Sequence, residues 1–293
     1  MPGFVDIGDA RFSLTSGLES LEIIDEYGFV ASVASIELNL SKVQNNAPEV
    51  FDHAHEDNIL IDAYIELPNG VRHFRGILDD VGGTINKFEP PQNNLSVTGR
   101  SILSVLLDES DKNSFSKTYE NKDWSLVVRD VITRFGFSAD FVQSAGVQAG
   151  EAVGRVNLFT VDEQTAGEII DEAVSATGFV ANTTAEKKFI FAPSFVPDDY
   201  YPAMFTFLPE TDDGDIETAT FSDGNIESFV VKESAELIVP GAKVNLIITD
   251  KERLAGTYFV TKVRYVTSRQ DGADLAEYSV ARELPELKDE ESG

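Results

Sequence analysis

The sequence predicts an α+β protein that is mainly β: two antiparallel β modules flanking a mixed α/β insert. Three observations carry this expectation. Apolar residues alternate with period two before about residue 100 and after about residue 200. Helical spacing is confined to the stretch between them. Turn clusters such as Pro68-Asn69-Gly70 and Asp271-Gly272 separate the alternating runs. The expected division is an N-terminal β module over 1–100, an insert over 101–200, a second β module over 201–285 and an acidic tail over 286–293.

In the first module, Val30 to Leu40 places Ile36, Leu38 and Leu40 on one face. Ile59 to Leu67 alternates again, with Ile59, Ile61, Ala63 and Ile65 on one side and Leu60, Asp62, Tyr64 and Glu66 on the other. Pro68-Asn69-Gly70 supplies a hairpin turn, Val71 to Asp79 returns, and Asn94 to Thr98 follows the Pro90-Pro91 break. Such a meander needs closure or a partner to protect its edges.

In the insert, Ser101 is placed to cap a short helix through Leu107. Asp123 caps a second, where Trp124, Val127, Val128, Val131, Ile132 and Phe135 recur at helical spacing before Gly136. A third runs from about Asp162 to Thr177, burying Ala166, Ile169, Ile170, Ala173 and Val174, and ends at Gly178. A hairpin follows: Phe179 to Asn182, a turn at Thr184-Ala185-Glu186, then Lys188 to Ala192. The second module offers strands at Met204–Leu208, Asp215–Phe221, Ile226–Lys232, Lys243–Thr249, Thr257–Val266 and Glu277–Glu283. Pro240-Gly241 punctuates them, and Glu286 to Gly293 reads as a frayed end.

Charge and composition exclude several functions. With 23 Lys+Arg against 51 Asp+Glu, the net charge is −28, while a hydrophobic fraction of 42% suffices for a packed core. The acidity opposes a grip on phosphate backbones and docking on anionic lipid. The absence of cysteine excludes disulfides, thiolate metal sites and a cysteine nucleophile. Met1 to Asp6 has neither a basic nor an apolar region, so no signal peptide is expected. Gly28 to Ile36, the longest weakly polar stretch, falls far short of the ~20 residues that span a bilayer. No membrane insertion is expected.

No constellation commits the chain to catalysis. Asp52-His53-Ala54-His55-Glu56-Asp57 offers two imidazoles on one strand face, but no third histidine is placed to help, and a solvated loop explains it better. Gly99-Arg100-Ser101 lacks the second glycine of a nucleophile elbow. Gly82-Gly83 leads into a strand-like run, not a lysine and a helix. Glu168, Asp171 and Glu172 read as the wet side of a helix, and Asp212-Asp213-Gly214-Asp215 lacks the spacing of a calcium loop. Catalytic, cofactor-binding and metal-ligating residues are therefore all assigned as none.

Several short signatures then occur in a set order. Phe74-Arg75-Gly76-Ile77-Leu78-Asp79 closes an early hairpin. Val97-Thr98-Gly99-Arg100 turns into Leu106-Leu107-Asp108. Gly178 to Phe191 has the form G-F-V-A … K-F-I-F. Pro240-Gly241-Ala242-Lys243-Val244 and Gly256-Thr257-Tyr258-Phe259-Val260-Thr261-Lys262-Val263 end the series. Over about residues 30–285 this order resembles the baseplate and tail-tip hub proteins of tailed viruses, and the hub part of the type VI secretion spike. The chain departs from many contractile hubs in being shorter, without a C-terminal β-helical spike or a lysozyme-like insert.

The resemblance implies two barrel-like β modules per chain and a homotrimeric ring that adapts a hexameric tail tube to a threefold tip. It implies no enzymatic activity, residence in the virion tail after synthesis in the host cytoplasm, and a channel for tape measure protein and DNA. The implied partners are the tail tube or distal tail protein ring, the tape measure protein, and spike or tail fibre proteins, with DNA met only in passage. Strands near Ile59–Asp79 and Lys243–Val266 would build the ring, the insert from about Ser101 to Pro197 would decorate its outside, and acidic side chains would face the lumen. The alternatives are the hub of an extracellular contractile injection system and, from another class, a virion-borne carbohydrate-binding or glycan-hydrolysing module. The charge balance further points to a halophilic, archaeal host, since concentrated salt screens self-repulsion.

Overall fold

The computed structural model of the chain describes residues 3–28, 31–39, 59–85, 93–107, 117–140, 142–143, 155–162, 164–183, 188–193, 203–207, 214–232, 235–249, 253–269 and 274–284. The chain divides into two compact units. One comprises Met1–Tyr27, Ser32–Ser101 and Val196–Leu284, and the other Gly28–Ala31, Ile102–Phe195 and Pro285–Gly293.

The first unit is built on one 13-stranded sheet. Its N-terminal strands are β1 (Phe4–Ile7), β2 (Ala10–Ser13), β3 (Leu18–Glu26), β4 (Val33–Asn39), β5 (Leu60–Leu67), β6 (Gly70–Ile85) and β7 (Asn93–Ser101). They lie in the order β3-β4-β7-β6-β5-β1-β2, each antiparallel to its neighbours. The C-terminal strands are β12 (Ala203–Phe207), β13 (Ile216–Ser222), β14 (Asn225–Lys232), β15 (Lys243–Ile248), β16 (Gly256–Ser268) and β17 (Asp274–Ala281). Here the order is β13-β14-β17-β16, with β15 antiparallel to β16 and β12 parallel to β15.

Two long strands organise this unit. Residues Gly70–Ile77 of β6 pair with β5, and Gly76–Ile85 pair with β7. In β16, Gly256–Phe259 pair with β15, and Lys262–Ser268 pair along the same edge with β3. A register shift between Val260 and Lys262, against β17 on the other edge, marks the changeover. The β3–β16 pairing joins the strands of the first and last thirds of the chain into one sheet over one continuous core. Ile61, Ala63 and Ile65 are wholly buried, as the alternation predicts, and so are Val263, Tyr265 and Tyr278. Phe205, Phe229 and Tyr278 pack with ring centroids 5.0–5.4 Å apart. Burial of each such ring is worth about 1.5–3 kcal/mol.

The second unit holds α1 (Ser104–Leu107), β8 (Lys117–Asp123), α2 (Trp124–Arg134), β9 (Arg155–Val161), α3 (Ala166–Thr177), β10 (Phe179–Thr183) and β11 (Phe189–Pro193). Asp123 caps α2 as predicted, its carboxylate accepting from Ser125 N–H at 2.8 Å. The apolar stripe of α2 is buried at Trp124, Val127, Val128, Val131 and Ile132. Gly178 ends α3 in the left-handed conformation, φ 67°. The hairpin β10–β11 forms in the predicted place, and β8 pairs antiparallel with β9.

Two expectations are corrected. Helix α3 begins at Ala166, not near Asp162, because Thr165 and Glu168 form a reciprocal capping box that fixes the first turn. Ser101 does not cap a helix. It is the last residue of β7, buried, and its Oγ accepts from Ser32 N–H at 3.1 Å.

Candidate functional site

Alternation in β3, β4, β16 and β17 sends one set of side chains into the core and leaves the other on the outer face. That outer face carries cross-strand ion pairs. Lys262 sits opposite Glu26 at 2.5 Å, and Arg264 reaches Glu22 at 2.7 Å and Glu277 at 3.5 Å on the two flanking strands. Further along the sheet, Arg100 pairs with Asp79, Arg75 with Asp62 and Arg11 with Asp6. Burial pushes the Asp62 carboxyl up, but hydrogen bonds from Arg75 and His73 outweigh it and hold Asp62 below its usual range. Each exposed pair is worth at most about 1 kcal/mol. Their larger effect is on the surface field: these cations are spent on local acids, so the chain's acid surplus is left to dominate.

Arg72 and Asp25 depart from this pattern, pairing on the core side through two hydrogen bonds of 2.5 and 2.6 Å. Burial works to lower the guanidinium's affinity for its proton, yet Asp25 raises it overall. Removing one partner would leave a buried charge uncompensated.

A column of stacked groups crosses the outer face of β2, β1, β5 and β6. The guanidinium of Arg11 lies 4.5 Å above the Phe4 ring, Phe4 stacks on Tyr64 at 4.5 Å, and Tyr64 stacks on His73 at 4.2 Å. The pairing register brings Phe4 opposite Tyr64 and Tyr64 opposite His73. Stacking here stiffens the end of the sheet.

Residues 235–239 cross the first unit outside any strand and are held by side chains. The Tyr278 hydroxyl accepts from Glu236 N–H at 2.9 Å and donates to Glu236 C=O at 2.6 Å. Tyr265 does the same for Ile238, at 2.9 and 2.7 Å. On the opposite edge, the Asn69 carboxamide accepts from Leu237 N–H at 2.6 Å. Side chains thus replace the two neighbouring strands that this segment lacks. Nothing in the alternation announced the arrangement. The available signal was two tyrosines at core positions, Tyr265 and Tyr278, since a buried phenol needs a hydrogen-bond partner.

The glycines in the hub-like signatures have a steric reason. A Cβ on Gly76 would stand 2.2 Å from Arg100 O and 2.5 Å from the Phe74 ring, and one on Gly99 would stand 2.6 Å from Ile61 and 2.7 Å from Ile77 O. The Phe74-x-Gly76 step therefore lets the aromatic ring lie across its own strand where the pairing of β6 changes from β5 to β7.

The weighed chemical candidates are not brought together. Asp52 to Asp57, Asp212 and Asp213 lie outside the described residues. Asp215 is used structurally, accepting from Thr206 N–H at 3.1 Å. Glu168, Asp171 and Glu172 lie on the exposed side of α3, Glu168 serving the capping box. Gly82 and Gly83 run within β6. Lys117, Tyr119 and Asp130 meet between β8 and α2, with the Tyr119 hydroxyl donating to Asp130 at 3.1 Å. Burial and the Asp130 charge push that phenol far above its usual range, so it stays protonated. Among the described residues no three His, Asp or Glu gather as metal ligands, and no helix is long and apolar enough to cross a membrane.

No family model matches the chain, and no curated protein matches it either. Solved structures do. The 43 kDa tail protein of prophage MuSo2 from Shewanella oneidensis is 12% identical with a TM-score of 0.67, over 96% of each chain. A tail protein from Neisseria meningitidis is 10% identical with a TM-score of 0.64, again over 96% of each chain. An E. coli component of the type VI secretion system, itself similar to T4 bacteriophage tail proteins gp27 and gp5, is 12% identical with a TM-score of 0.58. That match covers 98% of this chain and 77% of the other. The chain shares the fold of these tail and secretion-system proteins along nearly its whole length.

Proposed function

We propose that the chain is the structural hub of a virus tail tip or baseplate. Three copies form a ring that adapts the hexameric tail tube to a threefold tip and surrounds the channel for tape measure protein and DNA. The observation that carries this reading is the joining of two β modules through β3 and β16, on a fold shared along 96% of both chains with two tail proteins, one of them from a prophage. Three copies of a chain with two modules supply six similar β surfaces to a sixfold neighbour, and three chains to a threefold one.

The β modules at 1–100 and 201–285 make the ring, 101–200 is an insert between them in sequence, and 286–293 is an acidic tail by composition. The protein works by geometry, without catalysis, cofactor or metal. Its partners are the tail tube or distal tail ring, the tape measure, and spike or fibre proteins. DNA passes without being held, because a net charge of −28 repels phosphate. The chain is made in the host cytoplasm and resides in the virion tail, without entering a membrane itself.

Mass measurement in solution, followed by reconstruction of the assembled particle, tests the reading. A trimer at the tail tip with acidic residues toward the lumen is expected. A strict monomer that binds or cleaves glycan would overturn it. The hub of an extracellular contractile injection system is the second reading, supported by the fold shared with the E. coli type VI component. Neighbouring genes separate the two, since they specify a capsid in one case and secreted cargo in the other.

A further inference from the structure

We infer that Asn69 is a one-way chemical latch. Its carboxamide holds residues 235–239 against the β5–β6 hairpin, and once that segment lifts from the hairpin, deamidation at Asn69-Gly70 keeps it from returning. The inference stands apart from the hub reading. Asn69-Gly70 is the one Asn-Gly pair in the sequence, and it lies where the two-residue loop Pro68-Asn69 closes on the pairing of Leu67 with Gly70. Asn69 is exposed to water, yet its side chain is engaged. The Oδ1 atom accepts from Leu237 N–H at 2.6 Å, while Nδ2 faces Leu237 C=O at 3.5 Å and Glu236 Oε2 at 3.4 Å. The carboxamide thus meets Leu237 on both its main-chain polar groups, as a neighbouring strand would. The Leu237 side chain also lies over Gly70, where a Cβ would stand 3.3 Å from its Cδ2.

Asparagine before glycine is chemically labile because glycine has no side chain to shield its own peptide nitrogen. At this site the Gly70 nitrogen gives its proton to hydroxide and attacks Asn69 Cγ. The N–Cγ bond forms, the Cγ–Nδ2 bond breaks, and Nδ2 takes a proton from water and leaves as ammonia. A second water opens the resulting five-membered imide at either carbonyl, leaving aspartate or isoaspartate at position 69. In the folded chain this attack is blocked, since Oδ1 is held to Leu237 N–H and the Leu237 side chain covers Gly70. Reaction therefore draws on molecules in which 235–239 has lifted from the hairpin. Neither product restores the tie. In aspartate a second oxygen replaces the amide nitrogen and meets two acceptors, Leu237 C=O and Glu236 Oε2. Isoaspartate puts an extra methylene into the main chain, which a two-residue loop between paired strands absorbs only by losing register. The Tyr278 and Tyr265 hydroxyls still hold the segment from its other edge, so the release is confined to the hairpin side.

The test follows the peptide carrying Asn69 by mass spectrometry, with enzymatic methylation to mark isoaspartate. The parent chain is incubated in mildly alkaline buffer, without denaturant and in urea rising through the unfolding transition. Tyr278→Phe, which frees the main chain of Glu236 beside the tie, is treated alike. The folded parent is expected to react at Asn69 at least tenfold slower than the unfolded chain. Below the transition its rate should be flat in urea, because lifting a short segment exposes little surface. Tyr278→Phe should speed the reaction about tenfold, since a lost hydrogen-bond partner makes local opening easier. Hydrogen exchange at the Leu237 N–H should be at least tenfold faster in the deamidated chain than in the parent. Equal rates in the folded and unfolded chain, no reaction of the folded chain, or a rate that climbs with urea as global unfolding does, each overturn the latch. So does a folded Tyr278→Phe chain that reacts no faster than the parent, or a deamidated chain whose Leu237 N–H stays as protected as before. The urea profile and the exchange measurement use the parent sequence alone, so they decide the matter even where Tyr278→Phe does not fold.

Discussion

Tyr265 and Tyr278 are core residues by burial, yet each spends its hydroxyl on the main chain of residues 236–238, which has no strand beside it. Tyr265→Phe keeps the ring and removes the partner of Ile238 N–H and C=O. It should cost about 1–3 kcal/mol in denaturant unfolding, the usual penalty for a buried polar group left unpaired. Tyr64→Phe, on the outer face, should cost far less in the same measurement. Glu236 lies on the clamped segment, and partial burial together with Asp215 raises its carboxyl above the ordinary value. A raised carboxyl favours the folded state when protonated, and that contribution is lost as pH rises through the folded pKa. Glu236→Gln should therefore raise the thermal midpoint at pH 7, and the gain should vanish in scans below pH 4. Asp62 has the opposite sign, stabilising above its unfolded value and losing that contribution as pH falls.

At the scale of elements, close approach between β6 and β7 leaves no room for side chains at two positions. Gly76→Ala or Gly99→Ala should destabilise by about 2–3 kcal/mol, the cost of forcing a methyl into packed backbone. Gly82→Ala meets nothing within 4 Å and should be tolerated. Asp123→Ala should cost about 1 kcal/mol through the lost cap on α2. All four are read by denaturant titration. The elements legible in the sequence were those whose pattern is local. Ile61, Ala63 and Ile65 alternate cleanly, Asp123 stands just before an apolar stripe, and Pro68-Asn69 joins two strands without a longer loop. Strands β1, β2 and β3 went unassigned because the first two are four residues long and β3 mixes Glu19, Glu22 and Asp25 with its apolar positions. Strand β8, Lys-Thr-Tyr-Glu-Asn-Lys-Asp, buries only Tyr119, so no alternation exists to be seen. The parallel alignment of β12 with β15 and the tyrosine clamp depend on contacts far apart in sequence, which no window contains. Ser101 misled because a serine before a helix and a serine ending a strand look alike without Ser32 beside it.

For the whole molecule, the balance is between self-repulsion of a −28 chain and the ion pairs on its outer face. Salt weakens both, but repulsion acts over the whole surface while each exposed pair contributes little. The thermal midpoint should rise between low and molar salt. A midpoint that stays flat would remove the inference of a halophilic host and leave the fold untouched. The fold shared with tail and secretion-system proteins at 10–12% identity shows that most positions of this scaffold tolerate other residues. The steric demands at Gly76 and Gly99 leave no such freedom.

The changeover along β16 also has a mechanical consequence. Seven consecutive residues, Lys262 to Ser268, pair with Ser20 to Glu26 of β3 across the seam between the two halves of the sheet. A pull along the strands must break that ladder in shear, all pairs together, whereas a pull across them would unzip it one pair at a time. The seam is thus stiff in one direction and soft in the other. In single-molecule stretching, anchors on β3 and β16 that load the strands lengthwise should rupture at higher force than anchors that peel them apart.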